Sequence, residues 1–120
     1  MTEGVSGLAV ELIEARRDET LRRVASLTSQ IDAIVESSTW TRNDDEHDPE
    51  DSTVAFERAQ LQGLLARARD EIRELDRATQ RLADGRYGVC ERCGGAIAEA
   101  RLEALPAART CIACANKVRR

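Results

Sequence analysis

Aromatic residues, prolines and histidines are scarce in this sequence. Aromatics make up 2% of its 120 residues, fewer than a β-sandwich or barrel normally needs for its core. There are only two prolines, and most of the seven glycines lie at or after residue 85, so little interrupts a helix before that point. His47 is the single histidine and lies in an acidic stretch, which leaves histidine-based catalysis only one candidate.

Several longer signals are absent as well. No apolar run approaches the length of a membrane span, and the first twenty residues lack the basic and apolar regions of a signal peptide. Neither a Walker loop nor a dinucleotide-binding glycine fingerprint occurs. These absences predict a cytoplasmic protein that is neither embedded in a membrane nor an enzyme of the nucleotide-binding classes.

Charge is distributed unevenly along the chain. The net charge of −4 argues against a general nucleic-acid binder. Residues 1–85 carry 11 basic and 19 acidic side chains, net −8, whereas residues 86–120 carry 7 and 3, net +4. The abundance of Ala, Arg, Glu and Leu, with 33% charged residues, is typical of long helices and coiled coils.

Apolar periodicity predicts two helices, over about residues 8–37 and 54–84. In the first, apolar residues recur three or four positions apart, with a weaker stretch at residues 16–20. In the second, separations of four and three alternate as in a heptad seam. That seam comprises Leu61, Leu65, Ala68, Ile72, Leu75, Thr79 and Leu82. Gly85 suits the left-handed position that follows a helix.

Residues 38–53 separate the two helices and contain six carboxylates. They are typical of a polar loop. Alternatively, the second helix starts earlier, with Asp48 as its N-cap and Pro49 as its first residue. Helices of similar length with complementary apolar stripes predict an antiparallel coiled-coil hairpin over residues 1–84, with the acidic loop at its tip. Such a hairpin buries little core and needs a staple or a partner.

The four cysteines form two Cys-x-x-Cys pairs separated by seventeen residues: Cys90, Cys93, Cys111 and Cys114. This spacing is typical of a zinc site in which four thiolates bind one Zn²⁺ tetrahedrally. Disulfides and a redox site are the alternatives, but disulfides are rare in the cytosol and a thioredoxin-like site needs a βαβ context. Gly94 and Gly95 allow the backbone to turn back and donate N–H groups to the sulfurs. We therefore predict a small four-cysteine zinc-finger domain over residues 85–120, with one structural zinc and a short C-terminal helix.

Three stretches together resemble the DksA/TraR zinc-finger family: residues 84–94, the Arg-Leu-Glu-Ala-Leu-Pro run at 101–106, and the second cysteine pair at 111–114. The resemblance implies a bacterial transcription regulator that binds RNA polymerase and not specific DNA sequences. It implies a monomer whose coiled-coil hairpin enters the secondary channel formed by the β and β′ subunits. The tip acids would then lie near the active site and modulate open complexes; the candidates are Asp44, Asp45, Asp48 and Asp51.

The sequence departs from the family pattern at two places. The family's tip motif, Asp-x-x-Asp-x-Ala, is matched by residues 48–53 with Thr53 in place of alanine. Among positions that help hold the alarmone (p)ppGpp in the family, Arg67 is basic, whereas Glu74 and Ala115 are not. An anionic tetraphosphate is disfavoured by Glu74, so we expect weak or no alarmone enhancement.

Two other functions remain open from the residues alone. One is a structural adaptor that dimerises through its helices and binds proteins through the finger. The other is a thiol-redox enzyme or a sensor that releases zinc on oxidation.

Overall fold

The computed structural model describes the backbone of residues 2–42 and 50–118 and the side chains of residues 7–37 and 53–117. These residues form two long helices, α1 (Thr2–Arg42) and α2 (Glu50–Ala83), and two short ones, α3 (Glu99–Ala104) and α4 (Ile112–Val118). Within the described ranges, β pairing is limited to an isolated antiparallel bridge between Val89 and Ala96. The predicted mostly helical fold, with its short C-terminal helix, is confirmed, and α3 is an addition to it.

None of the helices in the part of the chain that the structure describes combines the length and the apolar character that crossing a bilayer requires.

Both long helices extend beyond the ranges that periodicity predicts. α1 continues through residues 38–42, which are polar apart from Trp40 and contain no glycine or proline to stop a helix. α2 begins at Glu50, directly after Pro49, as the alternative start anticipated. Glu50 and Asp51 thus lie in the first turn, where negative charge is favoured by the helix dipole. Apolar periodicity misses such ends because a polar helical turn carries no apolar stripe.

The end of α2 is fixed by Gly85, which has a positive φ of 74°. The N–H of Arg86 donates to the carbonyl of Arg81 at 2.8 Å, and the N–H of Gly85 donates to the carbonyl of Leu82 at 3.2 Å. These two bonds define a Schellman motif. The helix stop predicted at Gly85 is therefore present in the structure, and it directs the chain into the cysteine region.

The chain divides into two compact units. The finger unit comprises Met1–Asp18 and Glu71–Arg120, and the helical unit comprises Glu19–Asp70.

The finger unit has a small apolar core where α1 and α2 meet. Ile13, Leu75 and Ala78 are buried together, with Leu82, Tyr87 and Ala107 packed against them. One turn along, the guanidinium of Arg16 pairs with the carboxylate of Glu71 at 3.3 Å. Because the α1 number rises from 13 to 16 while the α2 number falls from 75 to 71, the two helices run antiparallel in this unit.

In the helical unit, α1 and α2 lie side by side. They share an open groove of about 300 Å³, lined by Thr28, Ile31, Asp32, Gln62, Leu65, Ala66 and Arg69. Leu27, Leu65 and Ala68 are buried, as the apolar stripes predict, and Thr20 is buried as well. A buried threonine explains why the apolar stripe of α1 weakens near residue 20 without interrupting the helix.

The predicted seam of α2 is wrong at one position. Thr79 is exposed, whereas Ala78 is completely buried. Tyr87 and Ala107 cover the flank of α2 at this level, and they shift the buried face toward Ala78. The heptad pattern describes pairing with one helix only and does not include this second covering surface.

Candidate metal centre

The first cysteine pair lies in a tight turn bordered by the Val89–Ala96 bridge. The N–H of Cys90 donates to the carbonyl of Gly95 at 2.8 Å, and the N–H of Gly94 donates back to the carbonyl of Cys90 at 2.9 Å. Gly94 has a positive φ of 75°, a conformation that glycine adopts at little cost. The turn brings the sulfurs of Cys90 and Cys93 to the same side of the backbone.

The prediction that the N–H groups of Gly94 and Gly95 donate to cysteine sulfurs is right for one of the two glycines. The N–H of Gly95 donates to the Sγ of Cys93 at 3.4 Å, as expected. The N–H of Gly94, however, donates to a backbone carbonyl and not to sulfur. A Cβ at position 95 would lie 3.3 Å from the Cys93 sulfur, so the close approach of this backbone favours glycine.

The second pair lies at the start of α4. Cys111 directly precedes the helix and Cys114 lies in its first turn. The N–H of Ala115 donates to the carbonyl of Cys111 at 2.9 Å, which closes that turn. Helical geometry therefore places the two sulfurs of this pair next to each other.

All four sulfurs lie within 4.8 Å of one another. The Sγ atoms of Cys93 and Cys111 are 3.9 Å apart. A tetrahedron with Zn–S bonds of about 2.3 Å has edges of about 3.8 Å, so the cluster fits one zinc ion. All four cysteines are free thiols, which does not match the disulfide alternative. A site closed by four thiolates leaves no position for a reacting water, and its role is structural.

Burial and hydrogen bonding affect the thiols of the cluster unequally. Cys90 and Cys114 are buried with Ile97, and Leu102 packs against them. Backbone N–H groups, first that of Cys93, lower the pKa of the Cys90 thiol to about 6. The side-chain hydrogen bond with Cys111 instead raises the pKa of Cys114 to about 12. Zinc must displace the protons that remain, so binding becomes tighter as the pH rises.

The other predicted site residues are not brought to this centre. Asp44, Asp45 and Asp48 lie outside the described residues, and Asp51 is described only as part of the α2 backbone. Their assignment to a functional tip stays a prediction. Arg67 lies exposed on α2 in the helical unit, and its alarmone role also stays a prediction.

Sequence reasoning missed the polar residues that support the centre. Arg16, Arg81 and Arg101 each donate to a backbone carbonyl of the segment that runs from the end of α3 to α4. Tyr87 does the same through its hydroxyl. No sequence signal marks these four residues, because their acceptors are backbone carbonyls.

Comparison with known proteins agrees with the geometry of the centre. Residues 85–120 match the model of the prokaryotic dksA/traR C4-type zinc finger. An uncharacterised protein of Aquifex aeolicus is 49% identical over 49 residues, which cover 41% of this chain and 34% of that protein. General stress protein 16O of Bacillus subtilis is 40% identical over 65 residues, which cover 54% of this chain and 40% of that protein. The chain thus spans less than half the length of these relatives.

Structural comparison extends the similarity beyond the finger. The transcription factor DksA2 from Pseudomonas aeruginosa aligns with a TM-score of 0.77 and 24% sequence identity. The alignment covers 97% of this chain and 84% of that structure. At this identity the likeness shows a shared fold. Residues 85–120 thus resemble the prokaryotic dksA/traR C4-type zinc finger in sequence and in their four converging sulfurs, and the chain shares the fold of DksA2.

Proposed function

We propose that this chain is a non-enzymatic regulator of bacterial transcription that binds RNA polymerase. The observation that carries the proposal is the combination of a dksA/traR-type finger at residues 85–120 with a fold that matches the transcription factor DksA2 over 97% of the chain. The finger contributes a closed structural site, and the helices contribute the surface that meets the polymerase. Because its partner acts in the cytoplasm, so does this protein.

The proposed mechanism uses the helices as a delivery arm. The protein acts as a monomer: α1 and α2 enter the secondary channel, and the acids within residues 44–51 approach the active site, where they modulate open complexes. The helical unit, residues 19–70, carries 6 basic and 11 acidic side chains, net −5. Carboxylates suit both a hard cation such as Mg²⁺ and basic protein loops, so this charge supports the proposed destination.

The test is a pull-down of purified RNA polymerase core, followed by transcription at a ribosomal promoter. Wild type is compared with a double variant, Asp48→Asn with Asp51→Asn. We expect both proteins to bind and only the wild type to change transcription. The matched control also removes two negative charges, but from the finger, at exposed Glu99 and Glu103, and it should behave as the wild type.

Two results would contradict the proposal. Absence of polymerase binding by the wild type would rule out this partner and favour the adaptor alternative, which a stable dimer in sedimentation would support. Equal transcription effects from wild type and the Asp48/Asp51 variant would show that those two acids are not the effector.

A further inference from the structure

The segment that links α3 to α4 is irregular, yet every backbone carbonyl from residue 104 to residue 110 accepts a hydrogen bond. The donors come from five places: helix α1, helix α2, the turns around the first cysteine pair, helix α3, and the segment itself. The side chains of Arg16, Tyr87 and Arg101 donate to the carbonyls of Ala104, Pro106 and Thr110 at 2.8, 2.8 and 2.9 Å. The side chain of Arg81 donates to the carbonyls of Ala107 and Ala108 at 3.3 and 3.5 Å. The backbone N–H groups of Ala108 and Glu91 donate to the carbonyls of Leu105 and Arg109 at 3.0 and 2.9 Å. We call residues 104–110 the connecting segment, because it leads directly into Cys111.

Arg81 occupies the centre of this arrangement. It lies in the last turn of α2 and is only 7% exposed. One guanidinium nitrogen donates to the carbonyls of Ala107 and Ala108, while the other lies 3.9 Å from the carboxylate of Glu91. Glu91 stands between the two cysteines of the first pair. A single side chain therefore contacts both the segment that leads to the second cysteine pair and Glu91, which lies within the first pair.

A second arginine reinforces the same connection from the surface. Arg109 pairs with Glu74 of α2 at 3.3 Å and with Glu91 at 3.9 Å. Its own carbonyl accepts the N–H of Glu91 at 2.9 Å. The turn of the first pair and the segment before the second pair are thus joined directly, and both are tied to α2.

We propose that Arg81 is a positioning residue for the zinc centre, one that holds the two cysteine pairs at the separation a single metal ion requires. Its planar fork offers donors in two fixed directions, toward the connecting segment and toward Glu91. Fixing two binding elements before the ligand arrives reduces the ordering cost of binding and raises affinity. Groups that orient metal ligands without touching the metal typically contribute about 10- to 100-fold to its affinity.

Burial of this guanidinium has to be compensated. Desolvation lowers the pKa of Arg81, and the carboxylate of Glu91 opposes that shift. A buried cation is costly unless it is paired, and here one nitrogen donates to the connecting segment while the other faces the carboxylate of Glu91 at 3.9 Å. An apolar residue of similar length would fill the space without making either contact.

The test measures zinc affinity of the full chain by competition with a chromophoric chelator. We expect Arg81→Met to weaken zinc binding about 10- to 100-fold. Arg81→Lys, which keeps the charge but not the fork, should fall between that variant and the wild type. Arg77→Met is the matched control: Arg77 lies one turn earlier, is exposed and pairs with Glu74. It should change zinc affinity by less than about twofold, as expected for an exposed ion pair.

Cobalt(II) absorption reports whether the four thiolates still form the metal site in Arg81→Met. If Arg81 only positions the ligands, the cobalt-loaded Arg81→Met protein keeps the bands of a tetrahedral thiolate site while its metal affinity falls. Zinc affinity equal to that of the wild type would overturn the proposal, even if the melting temperature decreased.

A second variant decides the case in which Arg81→Met does not fold. Glu91→Gln keeps the shape of a half-exposed side chain and removes the charge that faces Arg81 and Arg109. We expect a measurable but smaller loss of zinc affinity than for Arg81→Met. Unchanged affinity in Glu91→Gln would contradict the proposed link between Arg81 and the first cysteine pair.

Discussion

Tyr87, a residue just beyond α2, shows how one hydroxyl fixes the finger unit. Its ring packs against the core of Ile13, Leu75 and Ala78, and its hydroxyl donates to the carbonyl of buried Pro106 at 2.8 Å. Tyr87→Phe keeps the ring but leaves that carbonyl without this donor. We expect the free energy of unfolding of the zinc-loaded protein to decrease by about 1 kcal/mol in urea denaturation.

The contribution of Tyr87 should depend on pH. Desolvation raises the pKa of Tyr87 above 10.0, so the folded state retains the phenolic proton longer than the unfolded state. The advantage of tyrosine over phenylalanine is therefore complete below about pH 10 and disappears as the pH rises through the raised pKa. The control is Thr79→Val, which removes a hydroxyl bonded to the Leu75 carbonyl within α2. A loss equal to that of Tyr87→Phe in this control would show that the Pro106 contact has no special weight.

At the scale of single residues, the sequence indicated that the four cysteines form a metal site but did not indicate the polar residues that support it, and the reason is physical. Cysteine spacing encodes a metal site directly, because the thiolates themselves are the ligands. Arg81, Arg101 and Tyr87 instead bond to backbone carbonyls, which every residue has. No pattern of residue types marks such a bond, so it becomes visible only in three dimensions.

At the scale of elements, the two long helices were predictable because each buries one apolar stripe. Their ends were less predictable, since residues 38–42 continue α1 as a helical turn that is polar apart from Trp40. The stop at Gly85 was predictable because a left-handed position favours glycine. The burial of Ala78 instead of Thr79 was not predictable, because it depends on Tyr87 and Ala107, which lie outside the helix in sequence.

Two glycines of the α2 region should respond in opposite directions to the same substitution. Gly63 lies inside α2, and a Cβ there would have no heavy atom within 4 Å, so Gly63→Ala should stabilise the protein by about 1 kcal/mol. Gly85 has a φ of 74°, so Gly85→Ala should destabilise it by about 1–2 kcal/mol. Urea denaturation of the two zinc-loaded variants checks both signs. Destabilisation by Gly63→Ala would reveal a need for glycine that helix propensity does not describe.

At the scale of the whole molecule, the sequence predicted which parts exist but not how the finger is secured. Apolar stripes account for α1 and α2, and the two cysteine pairs account for a finger. Within the finger unit, however, Arg16 of α1 and Arg81 of α2 donate hydrogen bonds to the connecting segment. A polar attachment of this kind, between residues 88 positions apart for Arg16 and Ala104, has no local sequence signal.

Zinc removal should separate the two sources of stability in this chain. The helical unit depends on apolar contacts between α1 and α2, whereas the finger has a small core whose buried members include Cys90 and Cys114. Chelation, or Cys90→Ser, should therefore lower the melting temperature and loosen the finger while part of the helical circular dichroism signal remains. Free zinc at about 1,000 times its dissociation constant stabilises a protein by about 4 kcal/mol, which sets the expected scale.

The readouts for zinc removal are metal stoichiometry, thermal unfolding and far-ultraviolet circular dichroism on the same samples. Adding back Zn²⁺ should restore the melting temperature of the chelated wild type but not that of Cys90→Ser, because one thiolate is missing. Mg²⁺, a hard cation that prefers oxygen ligands, should restore neither. Full zinc stoichiometry and an unchanged melting temperature in Cys90→Ser would show that Cys90 is not a ligand. Complete loss of helical signal on chelation would instead show that α1 and α2 depend on the metal, because the finger unit contains one end of each helix.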